Sequence, residues 1–148
     1  MKDFLKTTAG WGIICCILAA TSPALAWSYF PGWELSATGT KVAALIPVAA
    51  YADWHGAAIT ITGGVGVLFL LATGSVKPIP WWRVAGLAVV GVTLLVFILI
   101  YSTTHWNHFP VQETGGLLAI LSTMGLSLVV AMDLRGILER RMKAKANS

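Results

Sequence analysis

Four stretches of almost unbroken apolar residues, 9–26, 56–73, 84–101 and 115–132, are separated by short polar, aromatic or proline-containing segments. None of the four contains Lys, Arg, Asp, Glu or an internal His. About 20 apolar residues cross a hydrocarbon core of roughly 30 Å, because each helical residue adds about 1.5 Å. Backbone groups in lipid must be satisfied within the segment, and the period of two that marks barrel strands is missing. The pattern predicts an all-α integral membrane bundle of four transmembrane helices forming a single domain over 1–148, with a basic tail at 133–148.

The connections differ. "GSVKPIP", residues 74–80, reads as a tight turn, since two prolines stop helix continuation. The segment between Trp27 and His55 is the longest connection. Its stretch from about Lys41 to Tyr51 is apolar but too short to span, with Pro47 inside it, and is expected to form a short interfacial helix on the outer leaflet. A long second span starting near Val42 would bury Asp53 and His55 and is disfavoured. Residues 1–26 also satisfy the outline of a signal peptide: basic "MKDFLK", an apolar run, then small Ala24 and Ala26. The run is long enough to cross, and Trp27 with Tyr29 supplies an anchor beyond it, so it reads as a retained first span.

Basic residues orient the bundle. Lys2, Lys6, Lys77, Arg83, Arg135, Arg140, Arg141, Lys143 and Lys145 fall on one side, whereas the other carries Lys41. The positive-inside rule places the first side, with both termini, in the cytoplasm. Trp27, Trp33, Trp54, Trp81, Trp82 and Trp106 lie at the ends of spans, where indole rings anchor at the lipid headgroups. The protein is therefore expected in a bacterial inner (cytoplasmic) membrane.

Composition agrees. Hydrophobic residues make up 57% and charged residues 11% of the chain, against about 25% charged in soluble domains. The net charge of +4 sits at span ends and forms no basic face with interleaved aromatics, which argues against a nucleic-acid partner. Adjacent Cys15 and Cys16 are the only cysteines. They exclude a disulfide framework and a Cys-based zinc site, and read as packing residues.

Small residues should set helix contacts. The second span is rich in them, including Thr60, Thr62, Gly63, Gly64 and Gly66, and so is the fourth, so these two are expected to pack most closely. Val89 to Ile100 is lipid-like and is expected to face lipid or another subunit. The tail after Asp133 is basic and amphipathic, suited to anionic headgroups or to a partner protein.

Chemistry is sparse. Without ionisable groups in the spans there is no sign of a proton relay, an ion-coupled transporter or an intramembrane hydrolase. Asp133 is expected at the wet inner edge beside Arg135. On the outer side, His55, His105 and His108 lie near one surface with Asp53 and Glu113. Imidazoles with a carboxylate suit Cu or Zn, and two of them would suit a haem or a chlorin. Two functions are carried forward. The first is a non-catalytic accessory or scaffolding subunit of a respiratory, photosynthetic or transport complex, partnered by lipid and by other membrane subunits or its own copies. The alternative is a small membrane protein binding a metal ion, haem or chlorin through His55, His105, His108 and Asp53.

Overall fold

The computed structural model describes residues 7–35, 41–49, 54–104 and 114–147. Four helices carry the fold: α1 (Thr8–Thr21), α2 (Trp54–Thr73), α3 (Trp81–Thr104) and α4 (Thr114–Ala146). The last three are long and apolar enough to cross a membrane. This is a helical membrane bundle.

Each helix starts or stops for a local reason. The Thr7 side chain accepts a hydrogen bond from the Gly10 amide at 3.1 Å and caps α1. At the other end Pro23 enters a single 3₁₀ turn, Ser22–Ala24, where the Ser22 hydroxyl donates to the Ala19 carbonyl. The first apolar run therefore forms a helix of 14 residues, about 21 Å long, rather than one reaching Ala26. The turn at 74–80 follows α2 directly, with the Gly74 amide donating to the Leu70 carbonyl at 2.7 Å. By contrast α4 runs unbroken through Gly136 for 33 residues, about 50 Å. That is some 20 Å more than a hydrocarbon core requires.

The helices run up and down around a square. α1 lies between α2 and α4, and α3 lies between the same two on the other side. Contacts down each seam show antiparallel packing: Gly12 meets Leu70 and Val129, Cys16 meets Gly66, and Cys15 meets Gly125. The expectation that α2 and α4 pack most closely is corrected, because they occupy opposite corners. Their small residues serve α1 instead. A Cβ placed on Gly63 would lie 2.8 Å from both the Ala20 Cβ and the Cys16 carbonyl oxygen, and the Thr60 hydroxyl donates to the Ala20 carbonyl at 3.1 Å. α1 has small residues where α2 does, so the two backbones approach there.

The core is one stripe per helix. α3 contributes Leu87, Val90, Leu94, Ile98 and Tyr101, and α4 contributes Ala119, Leu126 and Val129. These close on Ala9, Ile13, Cys16 and Ala19 of α1 and on Ile59 and Leu70 of α2. The spacing of three and four is that of helices meeting along a seam. The opposite faces carry exposed Ile61, Val65 and Leu68 on α2, Val89, Val92 and Leu95 on α3, and Leu121, Met124 and Leu128 on α4. These exposed apolar faces are surfaces for lipid or for another subunit, the two outcomes expected for the third span.

The connection between α1 and α2 overturns one expectation. Residues from Lys41 form a strand, not an interfacial helix. β1 (Ala26–Leu35) and β2 (Lys41–Ala49) pair antiparallel, from Leu35 opposite Lys41 down to Ala26 opposite Ala49, with a bulge between Ala26 and Ser28. Pro47 sits opposite Tyr29. A proline there would break a helix. Aromatic and β-branched residues on both sides of "SATGT" are a hairpin pattern.

Candidate functional site

The most polar point in the described structure lies at the end of the bundle where α1 begins. Arg83 Nη2 stands 2.9 Å from Asp133 Oδ2, with the side chains 2% and 0% exposed. Thr8 joins the two: its hydroxyl donates to Asp133 Oδ1 at 2.5 Å and accepts from Arg83 Nη2 at 3.0 Å. One hydroxyl thus completes a three-residue clamp across α1, α3 and α4. Because α1 and α3 stand on a diagonal, the clamp adds a direct polar tie between opposite corners.

The sequence places these groups there for a simple reason. Arg83 lies four residues before Leu87, and Asp133 four residues after Val129, each one turn further along its helix's buried stripe. Both helices run past the apolar segments, so both charges are carried into the core. The expectation that Asp133 sits in water beside Arg135 is corrected. Arg135 turns outward and bonds Glu139 at 2.7 Å on the exposed face of α4.

Burying two charges costs several kcal/mol per ion unless each is compensated, which the pairing and the threonine provide. Arg83 Nε remains buried with no hydrogen-bond partner among the described residues. Neighbouring contacts reinforce the same end. Arg140 Nη2 donates to the Ile79 carbonyl at 3.1 Å, fixing the continuation of α4 to the turn before α3. Ile137, one turn beyond Asp133, is buried. This arrangement ties α1, α3 and α4 together, with its two charges facing each other.

Thr8→Val would remove the bridging hydroxyl while keeping the shape. Losing a hydrogen bond to a buried charged group should lower stability by about 1.5–3 kcal/mol, and Thr8→Ser should restore most of it. Thermal unfolding in detergent reads both. If Thr8→Val unfolds with wild type, the bridge has no energetic role.

Of the outer residues expected to hold a metal or cofactor, His55 is described. Asp53, His105 and His108 lie outside the described residues, as does Glu113. His55 begins the second position of α2 and is 4% exposed. Its ring lies 3.7 Å from the Trp54 ring and 6.4 Å, edge to face, from that of Tyr101 on α3. Among the described residues no group of three His, Cys, Asp or Glu converges in a way that would hold a metal ion. Trp54, Trp81 and Trp82 expose their rings, as anchors at the membrane interface do. Trp27 and Trp33 fall in β1, and Trp106 lies outside the described residues.

Fold and site together define an integral membrane protein with a helical bundle in which α1, α3 and α4 are joined by a buried ion pair and a bridging threonine. No family model, curated protein or solved structure matches the chain.

Proposed function

We propose that this protein is a non-catalytic accessory or scaffolding subunit of a larger membrane assembly, respiratory, photosynthetic or transport in kind. It sits in a bacterial cytoplasmic membrane with both termini inside, and its first apolar segment is retained. The observation that carries this reading is the Arg83–Asp133–Thr8 clamp. The buried charges are matched to one another and aimed at holding helices together. Thr8 belongs to α1, so removal of residues 1–26 would take away the clamp's third member and one wall of the core.

The hairpin supports the same reading. A two-stranded ribbon is marginal in water, and among the described residues no third strand pairs with this one. A neighbouring subunit beside it would add the support such a ribbon needs. The basic continuation of α4 suits anionic headgroups on the inner surface.

Purification in mild detergent should yield an assembly well above the 15.7 kDa chain. It should hold partner subunits in fixed ratio, and its intact mass should include residues 1–26. Replacing His55 by alanine should leave that composition unchanged. A lone chain carrying stoichiometric Cu, Zn, haem or chlorin, lost on His55→Ala or His105→Ala, would replace this reading with cofactor binding.

A further inference from the structure

The hairpin between α1 and α2 has two backbone edges, one along β1 and one along β2. In an antiparallel ladder, opposite residues alternate between pairs that bond each other and pairs whose amides and carbonyls point away, to the edges. The register settles which are which. Pro31 stands opposite Leu45 and Pro47 opposite Tyr29, and a proline has no amide to give the ladder. Both prolines fall on the same alternate set, so one phase of the ladder loses nothing and the other loses a bond at each. The bonded pairs are therefore the even-numbered ones, such as Gly32 with Ala44, and the odd-numbered residues turn their backbone groups outward.

The two edges are then unequal. On β1 the outward row runs from Tyr29 to Leu35 and is broken within the strand by Pro31. On β2 Lys41, Ala43 and Leu45 form an unbroken row, which Pro47 closes near the strand's end. Proline on an edge hinders the addition of another strand. Here it interrupts β1 and leaves most of β2 open.

We propose that the open edge of β2 pairs with the same edge of a second copy of this chain, antiparallel and centred on Ala43, so that two hairpins form one four-stranded sheet. Three features fit that occupant. First, the row is its own complement. Turned about a two-fold axis at Ala43, Lys41 meets Leu45 and Ala43 meets Ala43, all positions whose backbone groups face outward. Such an isologous contact is the commonest symmetry of paired identical chains. Second, charge permits it. Like charges directly opposite destabilise a ladder, and this centre sets the two Lys41 residues about 14 Å apart along the strands. Third, the symmetry suits a bilayer. A two-fold axis between antiparallel strands is perpendicular to their sheet and can lie along the membrane normal, as two identically inserted copies require. Ala43 is about 20 Å along β2 from Ala49, which keeps the two bundles apart. A two-stranded ribbon is marginal, and a sheet of three or more strands is the sturdier unit.

The pairing rests on the hairpin's backbone and not on membership of a larger assembly, so its test reads copies of this chain alone. Ala43→Cys sets Cα atoms about 5.5 Å apart across the axis, inside the range of about 4.4–6.8 Å that a disulfide spans. Mild oxidation of native membranes should convert this variant to a covalent dimer of the chain. Ala44→Cys should remain monomeric, because its two copies stand about 8 Å apart. Wild type should remain monomeric too, since Cys15 and Cys16 lie within α1. Ala43→Pro deletes an outward amide and no bond of the hairpin. It should raise the dimer's dissociation constant about tenfold or more, read by energy transfer between labelled copies in detergent, with the helical unfolding midpoint unchanged. No cross-link at 43, equal cross-linking at 43 and 44, or an unchanged dissociation constant in Ala43→Pro overturns the proposal. So does cross-linking of Ala43→Cys to a different protein, which would give the edge to another subunit.

Discussion

Asp133→Ala should lower stability by about 3–5 kcal/mol, the largest effect of any single substitution considered for this bundle. The change deletes a carboxylate that is 0% exposed and leaves the Arg83 guanidinium, 2% exposed, without its counter-charge. Thr8 would keep a hydrogen bond from Arg83 but lose the acceptor for its own hydrogen. A double variant separates the pair's net contribution from the damage of breaking it. Arg83→Met with Asp133→Leu removes both charges and keeps much of the volume, and should recover most of the loss. Buried ion pairs often contribute little over an apolar equivalent, while half of one is strongly destabilising. Unfolding in detergent, followed by circular dichroism for wild type, Arg83→Met, Asp133→Leu and the double variant, completes the cycle. An Asp133→Ala protein as stable as wild type would show that water reaches the pair.

The second large effect lies at the seam of α1 and α2 and depends on which face of a helix a glycine occupies. Gly63→Ala would put a methyl group 2.8 Å from the Cys16 carbonyl oxygen and 2.9 Å from the Ala20 amide nitrogen. These are backbone atoms that no side-chain rotation can clear. The helices must separate, weakening the bond from Thr60 to the Ala20 carbonyl and the packing of Cys16 on Gly66. Overpacking of this kind costs about 1–3 kcal/mol. Gly64→Ala, one residue along, meets nothing within 4 Å and gains up to about 1 kcal/mol of helix propensity. The two midpoints should therefore move in opposite directions. Equal shifts would mean that α1 does not approach α2 at Gly63.

The architecture was legible because lipid leaves the backbone few choices. Apolar run length alone gives α2, α3 and the membrane part of α4. The clamp was hidden by the same reasoning. Ending each apolar run at its first charged residue sets Arg83 and Asp133 outside the helices, whereas the helices continue. Extending the buried positions 94, 90 and 87 by one turn reaches 83, and extending 126 and 129 reaches 133. The stripe carries the information that the hydropathy average discards. The hairpin failed differently. Apolarity told that the segment from Lys41 avoids water, but Pro47 and the β-branched residues around it were the signs of strand, and their partner lay at 26–35 across a polar gap. Partner choice between α1 and α2 was unreadable from α2's glycines alone. Small residues permit close approach, but which helix approaches depends on matching ones at Cys16 and Ala20.

The order of the clamp's members along the chain has a consequence for biogenesis. Thr8 and Arg83 are synthesised well before Asp133, which is 50 residues beyond Arg83. While α4 is still in the ribosome, the arginine has no carboxylate to meet and its long side chain belongs among the headgroups. Entry of α4 then supplies the carboxylate that pairs with Arg83 and accepts from Thr8 of α1. The three helices can close on one another only once α4 is in place, which makes that helix the latch.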